Sequence, residues 1–240
     1  MSLLLFGPPG TSKTTIVQSL ADALGWPIIS LSPGSFIGKG LEFVEAEASR
    51  VFGSLVSLSR TVVFFDECDE LFRLRNPDPA SEQVRGITAF VTASMLPKLQ
   101  QLHDRGRVVF VISTNHLASI DPAVKRGGRV DHIVGVGPPD EIARRRILSD
   151  LMAGKKSDRR IRTALDELAI RTERFTRPEL RRALDELLKG EPQWRTAAEA
   201  RRQAKEVAGR LKESLAITPE QFQQFLEDKR QFSNPHLEGV

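Results

Sequence analysis

Four continuous apolar runs recur along the first half of the chain and predict buried strands. They lie near residues 2–6, 28–31, 61–65 and 107–113. Stretches with helical character near 13–24, 41–57, 85–102 and 141–152 alternate with them. Because strands that alternate with helices imply right-handed crossovers, the pattern predicts an α/β fold whose parallel sheet is sandwiched by helices.

The chain from about residue 138 onward has a wholly helical pattern. Helices are predicted near 158–171, 178–189 and 196–216, with a break at 190–195. A proline at position 219 is typical of the first turn of a last helix. We therefore predict an α/β domain over 1–137, a small all-α domain over 138–232, and a frayed tail over 233–240.

The length of the chain is compatible with two domains, and its charge, cysteine content and apolar runs limit the class of protein. The 240 residues carry 35 Lys and Arg against 31 Asp and Glu, a formal net charge of +4 that is spread along the chain and is weak evidence for nucleic acid binding. The single cysteine, Cys68, cannot form an intramolecular disulfide. Since no run approaches the length of a membrane span, we expect a soluble, cytoplasmic protein.

The segment between the first apolar run and the first helix predicts a phosphate-binding loop. Its glycines let the backbone N–H groups turn toward phosphates, Lys13 can reach the β and γ phosphates, and the Thr14 hydroxyl can bind Mg²⁺. Ser12 replaces a usual glycine and fits only if its backbone avoids the φ values that penalise a Cβ. The alternative is a Gly/Pro-rich turn without a ligand. The predicted nucleotide contacts are Gly7, Pro8, Pro9, Gly10, Thr11, Ser12, Lys13, Thr14 and Thr15.

Polar residues follow two later strands at the sheet edge where ligands of parallel sheets bind. Asp66 and Glu67 come after the third apolar run, and Asn115 after the fourth. We expect Asp66 to hold Mg²⁺, Glu67 to polarise an attacking water and Asn115 to orient it. Taken alone, the acidic residues are more typical of a solvated loop and asparagine of a turn. The phosphate loop upstream favours the catalytic interpretation.

Two arginines lie three residues apart in the segment from Asp121 to Asp131. Arg126 and Arg129 flank Gly127 and Gly128. The glycines keep the surrounding backbone mobile and allow it to approach a ligand closely. This suits a site where a guanidinium must reach phosphate oxygens.

These motifs together resemble the AAA+ ATPases, and more narrowly the AAA clade. The segment from Thr114 through Arg126 and Arg129 to Asp131 is similar to that clade's second region of homology, spacing included. The resemblance implies a P-loop NTPase domain followed by a helical lid, with ATP and Mg²⁺ as ligands. It assigns Lys13 and Thr14 to Walker A, Asp66 and Glu67 to Walker B, Asn115 to sensor 1, and Arg126 and Arg129 to arginine fingers that act on the neighbouring subunit's nucleotide.

The same resemblance extends to two further segments. Phe36, Ile37 and Gly38 stand where the family carries pore loop 1, which would face a central channel and grip a polypeptide; the alternative is that Phe36 and Ile37 are ordinary core residues. Arg177 stands near the sensor 2 position but is more typical of a solvated arginine. Family members carry some tens of residues before the first strand, so we expect this sequence to be truncated at its amino end.

The expected function is a Mg²⁺-dependent ATPase that assembles into a ring, as a hexamer, and remodels or threads protein substrates. An alternative is an ATP-controlled assembly switch or scaffold with slow turnover, which Ser12 and the short amino end favour. A DNA-directed motor is a third possibility, which the arrangement of Arg126 and Arg129 disfavours.

Overall fold

The computed structural model describes residues 1–37, 43–72, 82–189 and 194–232. Its described residues contain one parallel sheet with strand order β2-β3-β4-β1-β5. The strands are β1 Ser2–Phe6, β2 Ile28–Leu31, β3 Val62–Phe65, β4 Val109–Thr114 and β5 His132–Gly135. The helices are α1 Lys13–Leu24, α2 Gly34–Ile37, α3 Val44–Ser57, α4 Glu82–Arg105, α5 Glu141–Leu151, α6 Arg159–Arg171, α7 Arg177–Leu187, α8 Ala197–Lys212 and α9 Pro219–Phe232.

The central strands are buried on both faces, which explains their continuous apolar sequences. Every residue of β3 and β4 is buried. Successive side chains point to opposite faces, so Phe64 packs with Val17 and Ala21 of α1, whereas Phe65 stacks on Phe52 of α3 with ring centroids 5.8 Å apart. The predicted parallel sheet with helices around it is confirmed.

The pairing register brings three strand ends to the same edge of the sheet. Phe6 lies opposite Thr114, and Phe65 lies opposite Ile112. In the strand order, β4 lies between β3 and β1. The chain segments that follow these three strands therefore start side by side.

The fifth strand was missed by the prediction of four strands. β5 spans only His132–Gly135, and its residues are partly exposed at an edge of the sheet. It pairs in parallel with β1, with His132 opposite Leu3. A short, half-exposed segment that ends in glycine lacks the apolar run by which the other strands were found.

The chain divides into two compact units. The first comprises Met1–Gly7, Lys13–Val136 and the chain from Phe225 onward, and the second comprises Pro8–Ser12 and Gly137–Gln224. The predicted domains, 1–137 and 138–232, stay a prediction; in the division by contacts Pro8–Ser12 belongs to the second unit and the end of α9 to the first. There the Phe225 ring lies 5.8 Å from the Phe6 ring, and Lys125 Nζ lies 5.3 Å from the centroid of Phe232.

Helices make up most of the second unit from Gly137 onward in its described part, and capping residues explain where several of them begin. The Asp140 carboxylate accepts a hydrogen bond from Ala143 N, and Asp158 accepts one from Ile161 N. Thr196 and Glu199 form a capping box that starts α8. The helices pack around a buried apolar cluster that includes Phe175, Leu180 and Trp194. As predicted, the last helix begins at Pro219.

Two other predictions concern the carboxyl-terminal tail and the absence of a membrane span. The tail 233–240 lies outside the described residues. Among the helices that the structure describes, none is long and apolar enough to span a membrane.

Candidate functional site

Lys13, the first residue of α1, joins the ends of β1 and β4. Its Nζ donates a hydrogen bond to Gly7 O at 2.7 Å and another to Asn115 Oδ1 at 2.8 Å. Gly7 directly follows β1, and Asn115 directly follows β4. Three residues that were predicted to bind or act on one ligand are thus brought together by the parallel register.

The environment of Lys13 lowers the pKa of its ammonium to about 8. Burial is the main cause, because it removes water from the charged form; the carboxylates of Asp69, Asp66 and Glu67 oppose the shift. A buried cation with a depressed pKa gains stabilisation from any anion that reaches it. The site therefore suits a phosphate group.

Asp66 follows β3 and presents its two carboxylate oxygens to different partners. Ser113 Oγ donates to Oδ1 at 2.8 Å, and Thr14 Oγ1 lies 3.4 Å from Oδ2. Hydroxyl and carboxylate oxygens are ligands that Mg²⁺ prefers. In the described part of the chain no cluster of three or more His, Cys, Asp or Glu forms a metal site. Thr14 and Asp66 nevertheless fit Mg²⁺, because this ion usually keeps several waters and is completed by phosphate oxygens.

Glu67 has an exposed side chain and an unusual backbone. Its φ is 53° and its ψ 25°, in the left-handed region, where it precedes the 3₁₀ helix Cys68–Leu71. For a residue other than glycine, this conformation costs about 1–3 kcal/mol, and such strained residues concentrate at functional sites. The carboxylate that follows Asp66 is thereby turned toward solvent.

The loop between β1 and α1 contradicts the expectation for Ser12. Ser12 has φ 69°, inside the region that penalises a Cβ, as do the neighbouring Gly7 at 154° and Gly10 at 78°. A Cβ at Gly7 would lie 1.9 Å from Val136 O, so only glycine fits there. Within the loop Thr11 Oγ1 donates to Pro8 O at 2.9 Å. The loop keeps the left-handed shape at position 12 even though the residue is serine.

Replacing Ser12 with glycine is therefore expected to stabilise the chain slightly. Relief of the left-handed strain is worth about 1–2 kcal/mol, and the extra freedom of glycine in the unfolded chain removes about 0.5–1 kcal/mol of this. Urea denaturation of the two proteins measures the difference. Ser12→Ala is the matched control, since it removes the hydroxyl and keeps the Cβ. A gain of equal size in Ser12→Ala would contradict the backbone explanation.

The segment from Asp121 to Asp131 is held by its own side chains. Asp121 is buried, and its Oδ1 accepts from Ala123 N at 2.7 Å. Arg129 donates from Nη1 to Ala123 O at 2.6 Å. Asp131 accepts from Ser2 N at 2.8 Å and lies 2.9 Å from His103 Nε2.

The two predicted fingers differ in exposure. Arg126 is exposed, and its side chain forms no hydrogen bond or ion pair with any residue that the structure describes. Arg129 is half-buried and bonded as above. Within the described chain neither arginine is bonded to Lys13, Asp66 or Asn115. The other predicted arginine, Arg177, is exposed at the first turn of α7, as expected for a solvated residue.

The structure corrects the prediction that Phe36 faces a channel. Phe36 lies in α2, its side chain is 0% exposed, and its ring centroid lies 6.3 Å from that of Phe52. A phenylalanine ring is stabilised by packing against other aromatic rings, and Phe36 does so although its segment contains glycines. Ile37 ends α2, and Gly38 lies outside the described residues.

Truncating Phe36 is expected to lower the stability of the fold rather than weaken the binding of a polypeptide substrate. Phe36→Ala removes a fully buried ring and should lower the free energy of unfolding by about 3–5 kcal/mol. A thermal scan should show a sharp fall in Tm. Phe43→Ala is the matched control, because that ring is 51% exposed. A Phe36→Ala protein with an unchanged Tm would contradict the buried position.

Sequence reasoning missed one residue of this constellation, Ser113. The apolar run drew attention to its strand, but a serine inside a buried strand has no motif of its own. The signal was available in its polarity, since a buried hydroxyl in a strand needs a hydrogen-bond partner.

A parallel sheet with a glycine-bearing loop after β1, a carboxylate after β3 and an amide after β4 defines a P-loop nucleotide-binding protein. A family model described as "ATPase family associated with various cellular activities (AAA)" matches residues 3–138. The chain belongs to this AAA family.

Curated relatives with similar sequences are much longer than this chain. The "ATPase family gene 2 protein" of Schizosaccharomyces pombe is 31% identical over 179 residues, 74% of this chain and 21% of the relative. The "ATPase family protein 2 homolog" of Caenorhabditis elegans is 33% identical over 178 residues, 74% of this chain and 24% of the relative. The "Cell division cycle protein 48 homolog" of Archaeoglobus fulgidus is 29% identical over 227 residues, 94% of this chain and 30% of the relative.

A solved structure shares the fold. It is titled "Crystal structure of FIGL-1 AAA domain in complex with ADP" and matches with a TM-score of 0.69 and 19% identity, over 96% of this chain and 78% of that chain. At this identity the likeness supports the fold alone.

The pKa of Lys13 predicts the pH dependence of nucleotide binding. Affinity for ATP should fall as pH rises through about 8, because the ammonium that faces the phosphates is lost. Stability moves the other way: the pKa in the folded chain lies below the ordinary 10.5, so the cost of a buried charge is full below about pH 8 and is relieved above it.

A fluorescent ATP analogue titrated across this pH range measures the binding effect. Lys13→Arg is the control, since a guanidinium stays charged throughout. A parallel fall in both proteins would mean that another group titrates.

Proposed function

We propose that this chain hydrolyses ATP with Mg²⁺, using the site formed where β1, β3 and β4 end. The observation that carries the proposal is the convergence of Lys13, Asp66 and Asn115 at one edge of the sheet, each at the position expected from its motif. Membership of the AAA family supports the same conclusion.

In this mechanism the residues act mainly through charge and position. Lys13 leaves the neutral oxygens of Gly7 and Asn115 for the phosphate oxygens of ATP, which bind a cation more strongly. The exchange frees the Asn115 amide to orient water, and Glu67 polarises that water for attack. Thr14 and Asp66 are the residues that would hold Mg²⁺, and the bound ion would supply positive charge to the phosphates.

The second part of the proposal concerns assembly. We infer that chains form a ring, a hexamer, in which Arg126 and Arg129 complete the site of the neighbouring subunit. The exposure of Arg126, without a bonded partner in the described chain, supports a role outside its own subunit. In the full proposal, hydrolysis drives the remodelling of a protein substrate.

The decisive experiment follows ATPase rate and native mass together as protein concentration rises. The rate per chain should increase in step with the population of the assembled form, because a single chain lacks the partner arginines. A rate per chain that is constant while the protein stays monomeric would contradict catalysis across an interface. Absence of hydrolysis in an assembled ring would contradict the ATPase proposal itself.

A second candidate is an assembly switch with slow turnover. The left-handed Ser12 in the phosphate loop favours it, since strain at this position opposes the loop shape that nucleotide binding uses. ATP-dependent assembly with negligible phosphate release would support the switch. A DNA-directed motor is disfavoured, and a mobility shift with duplex DNA at physiological salt would reverse that order. The cytoplasmic location stays a prediction.

A further inference from the structure

Ser113 is a buried hydroxyl that sits beside the proposed metal site. It lies in β4, and it is 2% exposed. Its Oγ donates to Oδ1 of Asp66 at 2.8 Å, across from β4 to the end of β3. A bond of this length to a carboxylate from a buried donor is a strong constraint on the carboxylate's position.

Because of this bond, the two carboxylate oxygens of Asp66 have different surroundings. Oδ1 is occupied by Ser113, while Oδ2 lies 3.4 Å from Thr14 Oγ1. The last torsion of an aspartate side chain has broad, roughly two-fold preferences, so an unanchored carboxylate can rotate. With Oδ1 anchored, Oδ2 keeps facing the Thr14 hydroxyl.

We propose that Ser113 is a positioning residue that holds Asp66 so that Oδ2 is presented to Mg²⁺ beside Thr14. The inference rests on the proposed function, since it concerns the metal of that same site. Partners that orient a metal ligand typically change metal affinity or activity by about 10–100-fold when they are removed. Ser113 should therefore act on metal affinity and leave the phosphate contacts of Lys13 alone.

A merely structural role for the hydroxyl makes a different prediction. A buried donor that only satisfies a neighbouring acceptor stabilises the fold, and its loss lowers stability without a preference for the metal. The two roles are separated by measuring metal binding and metal-free nucleotide binding in the same variants.

The experiment uses Mn²⁺ as the probe, because its electron paramagnetic resonance signal reports binding directly. Mn²⁺ is titrated into the protein with saturating ADP, and ADP binding is measured separately in EDTA. Ser113→Ala should bind Mn²⁺ about 10–100-fold more weakly and bind metal-free ADP as the wild type does. Ser113→Cys, which keeps nearly the same size with a weaker donor, tests the same point if the alanine variant does not fold.

Two controls sharpen the result. Ser113→Thr keeps the hydroxyl and should restore Mn²⁺ affinity. Thr61→Val removes another buried hydroxyl, which lies just before β3 and donates to Ser59 O at 3.0 Å, and it should leave Mn²⁺ affinity unchanged. Equal weakening in Thr61→Val and Ser113→Ala would overturn the inference in favour of general packing.

The remaining outcomes distinguish this inference from the function on which it rests. Wild-type Mn²⁺ affinity in Ser113→Ala and Ser113→Cys would overturn the positioning role and leave the proposed ATPase intact. Failure of the wild type itself to bind Mn²⁺ with ADP would overturn the proposed metal site, and the inference with it.

Discussion

Replacing Glu67 with glutamine is expected to slow ATP hydrolysis by about 10²–10⁴-fold while ATP still binds. Glutamine keeps the length and shape of the side chain but cannot accept the proton of the attacking water. The binding groups are untouched, because Lys13 Nζ contacts Gly7 and Asn115, and Asp66 keeps its contacts with Ser113 and Thr14. Single-turnover hydrolysis and equilibrium binding of labelled ATP measure the two effects.

Two variants control for the loss of a negative charge. Asp104→Asn removes an exposed carboxylate on α4 and should leave turnover unchanged. Asp66→Asn should instead raise the Mg²⁺ concentration that hydrolysis requires, since it weakens a proposed metal ligand. Turnover near the wild-type rate in Glu67→Gln would show that Glu67 is not the base.

The strands that were predicted well are those with mostly apolar sequences, although only β3 and β4 are buried at every residue. The predicted bounds of β1 and β2, 2–6 and 28–31, are the observed ones, and β3 and β4 differ from prediction by one or two residues. In β3 and β4 an apolar sequence is what a strand covered on both faces requires, so there the pattern and the structure share one cause. β5 was missed although β2, at the other edge of the sheet, was found, because β5 has only two apolar residues between His132 and Gly135, whereas three of the four residues of β2 are apolar.

The arrangement of the site could be predicted because it depends on topology. Once parallel pairing is inferred, the residues after β1, β3 and β4 must meet at one edge, and Lys13, Asp66 and Asn115 lie there. The catalytic roles of these residues stay predictions. Ser113 and its contact with Asp66 depend on register and side-chain direction, which composition does not reveal.

Two errors have a common physical origin in local backbone geometry. Ser12 was expected to fit only if its backbone avoids the φ values that penalise a Cβ, yet its φ is 69°. Phe36 was assigned to a channel, yet the short helix α2 turns its ring onto Phe52. A residue's place in a motif does not determine where its side chain points. Likewise, the end of α9 joins the first unit through the contact between Phe225 and Phe6, which no pattern within α9 predicts.

The largest expected effect concerns catalysis across a subunit interface. Lys13→Ala chains should lack phosphate binding, and Arg129→Ala chains should lack a finger, so each protein alone is expected to be inactive. A ring that contains both variants has some interfaces where an intact phosphate loop meets intact fingers. Because an arginine finger is worth about 10³–10⁵ in rate, even a minority of such interfaces should restore measurable hydrolysis.

Mixing the two variants at several ratios tests this expectation. Activity should peak near equal amounts, and native mass spectrometry should verify that mixed rings form. The choice of Arg129 needs its own control, since Arg129 also bonds to Ala123 O within its chain. Arg126→Ala serves here, because the exposed Arg126 forms no side-chain hydrogen bond or ion pair in the described chain, so its truncation removes only what it does for a neighbour. If Lys13→Ala is rescued by mixing with Arg126→Ala but not with Arg129→Ala, then Arg126 crosses the interface and Arg129 shapes its own segment. If neither mixture regains activity in verified mixed rings, both arginines act within their own chain.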